Sequence, residues 1–312
     1  MSWKKFTYRT LLFLAPTVLV IIGIEAAVRH IPNSVNISSK QLEKEAQTIE
    51  TLVLGASQNK RAINPEHLSQ KAMTVAGTRQ GHKTDYYLLK DLHKQLPSLK
   101  RVIVGTTYRH FESRPNSKNF WKYRSHLLYY DVNAFERTVY FKDKIIYLGN
   151  PNFYSDQLEA YYLNKERAVY NSFGFQMEGQ RDRFAKLKYD KELILKTYNP
   201  NNYPNLNTAY LEFTTSWFNK VLSYCKENNL EVILTQTPTY KLYRDHQDEA
   251  VLQRRDSIVS LALQGYPNVR IINEEENEEY KVHHYVNENH LNPAGAEIFT
   301  KKLDAFILKA KN

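Results

Sequence analysis

Five short apolar runs constrain this chain more than anything else in it: 51–54 ("TLVL"), 72–77 ("AMTVAG"), 101–105 ("RVIVG"), "EVILTQ" and "VRIIN". They are too short for helices and show little polar alternation, which fits strands buried on both faces. Between them lie segments of helical period. "TDYYLLKDLHKQL" puts Tyr87, Leu88, Leu92 and Leu96 on one face. "YLEFTTSWFNKVLSYCKENN", a stretch near 247–264 and a final helix opening at Pro293 follow the same pattern. Strands alternating with helices predict an α/β fold, a mainly parallel sheet with helices on both faces. With 312 residues the chain can hold one large domain of this kind, or two small ones. We expect one, at 48–312.

The N-terminus has a different character. "MSWKKFTYR" carries Lys4, Lys5 and Arg9, and the apolar run "TLLFLAPTVLVIIGIEAAV" follows. Residues 1–30 are therefore expected to form a membrane anchor of one transmembrane helix, interrupted by Pro16 and Glu25. The competing reading is a cleaved signal peptide, but "GIEAAVRH" offers no clean Ala-x-Ala cleavage pair. Basic residues ahead of the span place the N-terminus in the cytoplasm and the main domain outside it, as in a bacterial inner-membrane protein. The polar, turn-rich stretch that follows reads as a tether over 31–47, with a short helical segment at "QLEKEAQTIE".

Residues 110–205 break the alternation. They are rich in Tyr, Phe, Asn and Arg ("FWKYRSHLLYYD", "YYLNKERAVYNSFGF") and read as an aromatic insertion over one end of the sheet. Substrate-binding elements sit there in open α/β folds. Such aromatics can stack on sugars, or they can simply fill a core. Net charge is +10, without a dense Lys/Arg block. This favours acidic partners such as anionic lipid or polysaccharide, and no nucleic-acid partner is expected. The single cysteine, Cys225, excludes an internal disulfide and reads as a small apolar core residue. The spacing of His283, His284 and His290 is not that of a metal site, so neither metal nor cofactor is expected.

Two stretches carry candidate chemistry. "VLGASQNK" ends the first strand, with Gly55 allowing a tight turn and Ser57 just beyond the strand's carboxyl end. Ser57 there is either a nucleophile exposed at the ligand-binding edge or an ordinary helix N-cap. "NENHLNPAGAE" places His290 in a turn before the final helix, which Asn292 caps and Pro293 opens. His290 is the candidate base for Ser57, and a base of this kind needs an orienting group on its other ring nitrogen.

These two blocks together resemble the SGNH (GDSL-type) hydrolase superfamily. The nearest likeness is to its membrane-anchored bacterial branch, similar to the D-alanyl-lipoteichoic acid transfer and alginate O-acetylation proteins; "LEVILTQTPTYKLY" shares that likeness. The resemblance implies a three-layer flavodoxin-like fold, Ser57 as nucleophile and His290 as base. It implies an oxyanion hole drawn from Gly77 or Gly81 and from Thr107, which stands where an asparagine usually does. It also implies an O-acyl, in particular O-acetyl, esterase or transferase acting on a cell-envelope polysaccharide. The sequence departs from the pattern at Asn287, which occupies the orienting aspartate's place. A Ser–His dyad, substitution by Glu288 or loss of hydrolysis would each accommodate that change. In the last case the chain would be a binding subunit presenting a glycan to a membrane acyltransferase.

Overall fold

The computed structural model of the chain describes residues 3–178, 182–200 and 205–309. The expected anchor, insertion and final helix run slightly past these limits, at 1–2, 179–181, 201–204 and 310–312, which lie outside the described residues. The strands are β1 (Thr51–Val53), β2 (Ala72–Thr74), β3 (Arg101–Gly105), β4 (Val169–Tyr170), β5 (Gln176–Glu178), β6 (Glu231–Gln236), β7 (Val269–Asn273), β8 (Tyr285–Asn287) and β9 (His290–Leu291). Five of them pair in parallel in the order β2-β1-β3-β6-β7, while β4–β5 and β8–β9 are small antiparallel ribbons.

The register explains why the strand runs lack polar alternation. Leu52 stands beside Met73 and Val102, and Val102 beside Val232. This row and its i+2 neighbours Leu54, Val104 and Leu234 face one layer of the core. That layer is completed by Leu88, Leu89 and Leu92 of α4 (His82–His93), by Phe218, Val221, Leu222 and Cys225 of α9 (Leu211–Glu227), and by Val259 and Ala262 of α11 (Glu249–Gly265). The intervening residues Val53, Ile103, Ile233 and Ile272 face the opposite layer. There they meet Ala62 of α3 (Ser57–Ala62) and Phe299, Leu303 and Ile307 of α12 (Pro293–Lys309). Each large side chain so buried contributes about 1.5–3 kcal/mol. The result is the expected three-layer α/β sandwich with a flavodoxin-like strand order.

Two contacts lock α3 to α12. The Thr300 hydroxyl donates to the Ala62 carbonyl (3.1 Å) and accepts the Asn64 N–H (3.0 Å). Asn292 caps α12, its Oδ1 accepting the Gly295 N–H at 3.0 Å.

The tether expected at 31–47 is instead a docked helix, α2 (Ser34–Glu45), followed by a short 3-10 turn. Asn33 caps it by accepting the Val35 and Asn36 N–H groups. Its buried face carries Asn36, Ser38, Ser39 and Gln41 beside Leu42, and Gln41 Nε2 donates to the Ala72 carbonyl of β2 at 3.0 Å. Polar composition suggested a linker because here the buried side chains satisfy themselves by hydrogen bonds rather than by apolar contact.

The aromatic insertion does two different jobs. Its first half, with α5 (Tyr123–Tyr130) and α6 (Pro151–Leu158), packs Trp121, Ile146, Phe153 and Tyr154 against Ile24 and Val28 of α1 (Trp3–His30). Its second half, with α7 (Arg183–Lys186) and α8 (Lys191–Lys196), places Phe184 and Ile194 in the α12-side core. The short α10 (Lys241–Arg244) follows the turn after β6. Helix α1 is long and apolar enough to cross a membrane, and its large apolar residues up to Ile22 are exposed.

Gly295 sits in the first turn of α12, where an added Cβ would collide with the His284 carbonyl oxygen and lie 3.0 Å from Leu291. Both neighbours belong to the segment that leads into or follows His290. Gly295→Ala should therefore lower unfolding free energy by roughly 1–3 kcal/mol in urea titration, as overpacking does.

Candidate active site

Ser57 and His290 meet at the carboxyl end of the sheet, where strand order reverses on either side of β1 and open α/β folds bind ligands. After β1 the chain turns at Gly55, whose φ of +109° suits glycine alone among common residues. A Cβ there would lie 3.1 Å from both Asn59 Nδ2 and the Gly105 nitrogen. Three groups pin this turn. Asn59 Nδ2 donates to the Leu54 carbonyl (2.8 Å), the Thr235 hydroxyl donates to Asn59 Oδ1 (2.8 Å), and the Gly55 N–H donates to Asp85 Oδ1 (3.0 Å). Ala56 takes the N-cap position, so Ser57 is the first helical residue and its hydroxyl does not cap the helix.

That hydroxyl lies 2.8 Å from His290 Nε2 and 3.4 Å from Gln58 Oε1, so the histidine is its principal partner. His290 is placed by a two-residue hairpin, in which β8 and β9 pair Asn287 directly with His290. The hairpin gives the spacing its physical meaning, since cross-strand neighbours present adjacent side chains. Asn287 Oδ1 lies 2.9 Å from His290 Nδ1 and also accepts the Asn289 N–H at 3.2 Å. A backbone N–H can only donate, so it fixes the oxygen of the Asn287 amide toward this side. The imidazole therefore carries its proton on Nδ1 and presents a lone pair at Nε2 to Ser57. Asparagine thus selects the tautomer a serine base requires. Glu288 does not replace the missing aspartate, because its buried carboxylate turns to Arg183 of α7.

The electrostatics are cationic. Burial, and then the Arg61 guanidinium, push His290 down to about 3. Lys60 falls to about 8, through burial and then Arg61. Lys122 falls to about 7, through burial and then Lys60 and Arg79. Lys122 also donates to the Thr78 carbonyl at 2.8 Å, holding the loop after β2. Arg61 borders a cleft of about 250 Å³ whose other walls include Met177, Asp182, Val286 and Pro293.

The expected oxyanion donors fare unevenly. Thr107 turns both its N–H and its hydroxyl toward His110 Nδ1, each at 3.3 Å. Gly77 gives its N–H to the Gly55 carbonyl at 3.0 Å, extending the β1–β2 ladder. Gly81 stands at the N-cap of α4 with open space where a Cβ would be, and of the two glycines it remains the candidate. The N–H groups of Ser57 and Gln58 precede the first intrahelical bond of α3 and complete the candidate set.

Sequence reasoning missed the buried polar layer beneath Ser57. Asp85 accepts from Gly55 and from Gln80 Nε2 (2.7 Å), His82 Nδ1 lies 3.4 Å from its other oxygen, and the His82 and His110 rings stack at 4.8 Å. These residues come from three segments, so only a tertiary view unites them. Cys225 is buried in α9 and burial pushes its thiol up, which makes it structural.

No family model matches the chain, and neither does any curated protein. Among solved structures it is similar to a GDSL-like lipase from Bacteroides thetaiotaomicron, at 11% identity and TM-score 0.42, covering 88% of this chain and 98% of that one. It is also similar to a protein from Streptococcus pneumonia described provisionally as a platelet activating factor, at 9% identity and TM-score 0.41, covering 96% and 99%.

A depressed folded-state pKa means that His290 stays neutral as pH falls through 6.5, the usual histidine range. Nitrogen-15 spectra should show His290 as the Nδ1–H tautomer, unchanged between pH 8 and about 5. An ordinary titration near 6.5 would contradict the partly buried, cationic setting.

Proposed function

We propose that the chain is a membrane-anchored SGNH-type serine enzyme that removes or transfers an O-acyl group, in particular O-acetyl, on a cell-envelope polysaccharide. The observation that carries this reading is the 2.8 Å contact between Ser57 Oγ and a His290 Nε2 whose tautomer Asn287 sets. In the proposed reaction Nε2 takes the Ser57 proton as Oγ attacks the ester carbonyl. The tetrahedral oxyanion is met by the N–H groups of Ser57 and Gln58 and by Gly81. The imidazolium then returns the proton to the departing sugar oxygen, leaving an acyl-serine. Water, or a second sugar hydroxyl, releases the acyl group by the reverse steps.

The cationic surroundings act in two directions. They favour the developing oxyanion and disfavour the imidazolium, which lacks a carboxylate to balance it. Replacing the aspartate by asparagine costs about 10⁴ in turnover in the well-studied protease triad, where the wrong tautomer results. With the correct tautomer here, the remaining cost is the missing charge alone.

The depressed His290 also favours a second reading, in which the fold binds a glycan and presents it to a membrane acyltransferase without performing chemistry itself. On either reading the extracytoplasmic domain stays tied to a bacterial inner membrane. Glu25 and Val28 are built into the folded domain, so cleavage of α1 would remove part of its packing.

A fluorophosphonate probe separates the readings. Mass spectrometry should find the adduct on Ser57, with labelling abolished in Ser57→Ala and His290→Ala. Asn287→Asp should label at least about tenfold faster, recovering part of the triad's carboxylate contribution. Absence of wild-type labelling above the Ser57→Ala background would transfer the assignment to the binding subunit.

A further inference from the structure

We propose that residues 144–163 form a collar seated in the lipid headgroup layer, fixing the orientation of the whole domain on the bilayer. The inference rests on the reading of α1 as a membrane span and goes beyond it, because a span alone would leave the domain free to swing.

Helix length sets the geometry. A hydrocarbon core about 30 Å thick spans about 20 helical residues at 1.5 Å each. Counted from the residue after Lys5, that distance ends near Glu25. A headgroup layer of roughly 5–8 Å then covers the following three to five residues, to about His30. The insertion grips α1 over this same interval. The Glu25 carboxylate accepts the N–H groups of Ile146 (2.9 Å) and Tyr147 (3.0 Å) and pairs with Arg29 at 2.7 Å. Arg29 Nη2 donates to the Lys144 carbonyl at 2.8 Å, and the Tyr162 hydroxyl donates to the Ala27 carbonyl at 3.2 Å. Ile24 and Val28 pack with Ile146 and Tyr154. A carboxylate at the edge of an apolar phase is costly unless satisfied, and this one is satisfied by two backbone donors and a guanidinium.

The residues held at that depth have the composition of an interface. Leu148, Tyr162 and Leu163 are exposed, Leu163 to 75%, with none of the described residues covering them. Tyr147, Phe153 and Trp121 pack around Val28 and Ile146 at the same depth. Aromatic rings of this type concentrate where headgroups meet acyl chains. Lys144 at the start of this segment and Lys165 just past its end are exposed and complement anionic phospholipid. The exposed apolar surface of α1 ends at Ile22, so the collar continues that surface within about two helical turns. A phospholipid bilayer is therefore the occupant to which the geometry points.

The test uses the full chain reconstituted alone into vesicles of neutral and anionic phospholipid. Leu148→Cys, Leu163→Cys and Leu261→Cys would each carry an environment-sensitive fluorophore, the native Cys225 being buried. Leu261 is 67% exposed on α11, at the sheet edge opposite β2 and α2. Lipid bearing a nitroxide high on its acyl chain should quench the probes at 148 and 163 about twofold and leave 261 bright, as expected for immersion in the 5–10 Å boundary layer. Equal, weak quenching at all three positions, in protein that still floats with the vesicles, would overturn the collar. Failure to float would instead sink the anchor reading on which it rests. A Glu25→Gln variant should float normally but lose most of the difference in quenching between 163 and 261. Retention of the full difference would remove Glu25 from its assigned role of holding the collar in place.

Discussion

The contact between Ser57 and His290 joins residues 233 positions apart, and most of the fold serves to hold it. The serine depends on a turn that only Gly55 permits, pinned from three elements by Asn59, Thr235 and Asp85. The histidine depends on a two-residue hairpin whose exit is fixed by the Asn292 cap of α12. The two halves are joined by the packing of Ala62 against Phe299 and Leu303, and Thr300 reinforces that junction by bridging the end of α3 to α12 through one donated and one accepted hydrogen bond. A hydroxyl–imidazole bond of 2.8 Å tolerates only a few tenths of an ångström of drift. Each of these supports is therefore part of the site, although none touches a substrate.

Electrostatics divides the labour differently from a serine–histidine–aspartate arrangement. There, one carboxylate both orients the ring and balances its charge. Here Asn287 performs the first task and leaves the second undone, while Arg61 works against it. The same positive field suits an oxyanion. Under the proposed chemistry, a site of this kind holds a neutral base at rest and concentrates its stabilisation on the negative end of the transition state.

Much of this was legible in the sequence, for definite reasons. Strands such as "RVIVG" are buried on both faces, so their composition announces them without periodicity. The place of Asn287 behind His290 was legible only through the resemblance, and the hairpin is the physical reason that a spacing of three becomes a side-chain contact. Only the second half of helix α2 was legible, in the helical segment expected from Gln41; its first half was not, since the buried Ser38 and Ser39 look like linker residues until their partners are known. The contact of Thr107 with His110 was not legible, because the His110 ring is held by stacking on His82 from another element. The tautomer of His290 was also beyond sequence, because it turns on the Asn289 N–H that orients the Asn287 amide.

The correction at α2 changes how the molecule works as a membrane protein under the proposed anchoring. A flexible tether would let the site sweep a volume and meet substrates at many heights. Instead a continuous series of contacts leads from α1 to the nucleophile. Asn36 Nδ2 donates to the Ile31 carbonyl, Gln41 donates to Ala72 of β2, β2 pairs with β1, and β1 ends in the Gly55 turn. Within that series the ordering cost of placing the site is met once, at folding, and is not incurred again at each encounter. The compensating restriction is reach: a substrate segment must come to the site's own height above the bilayer. The envelope polymer of the proposed function meets that condition repeatedly, whereas a small diffusing ester gains little from it.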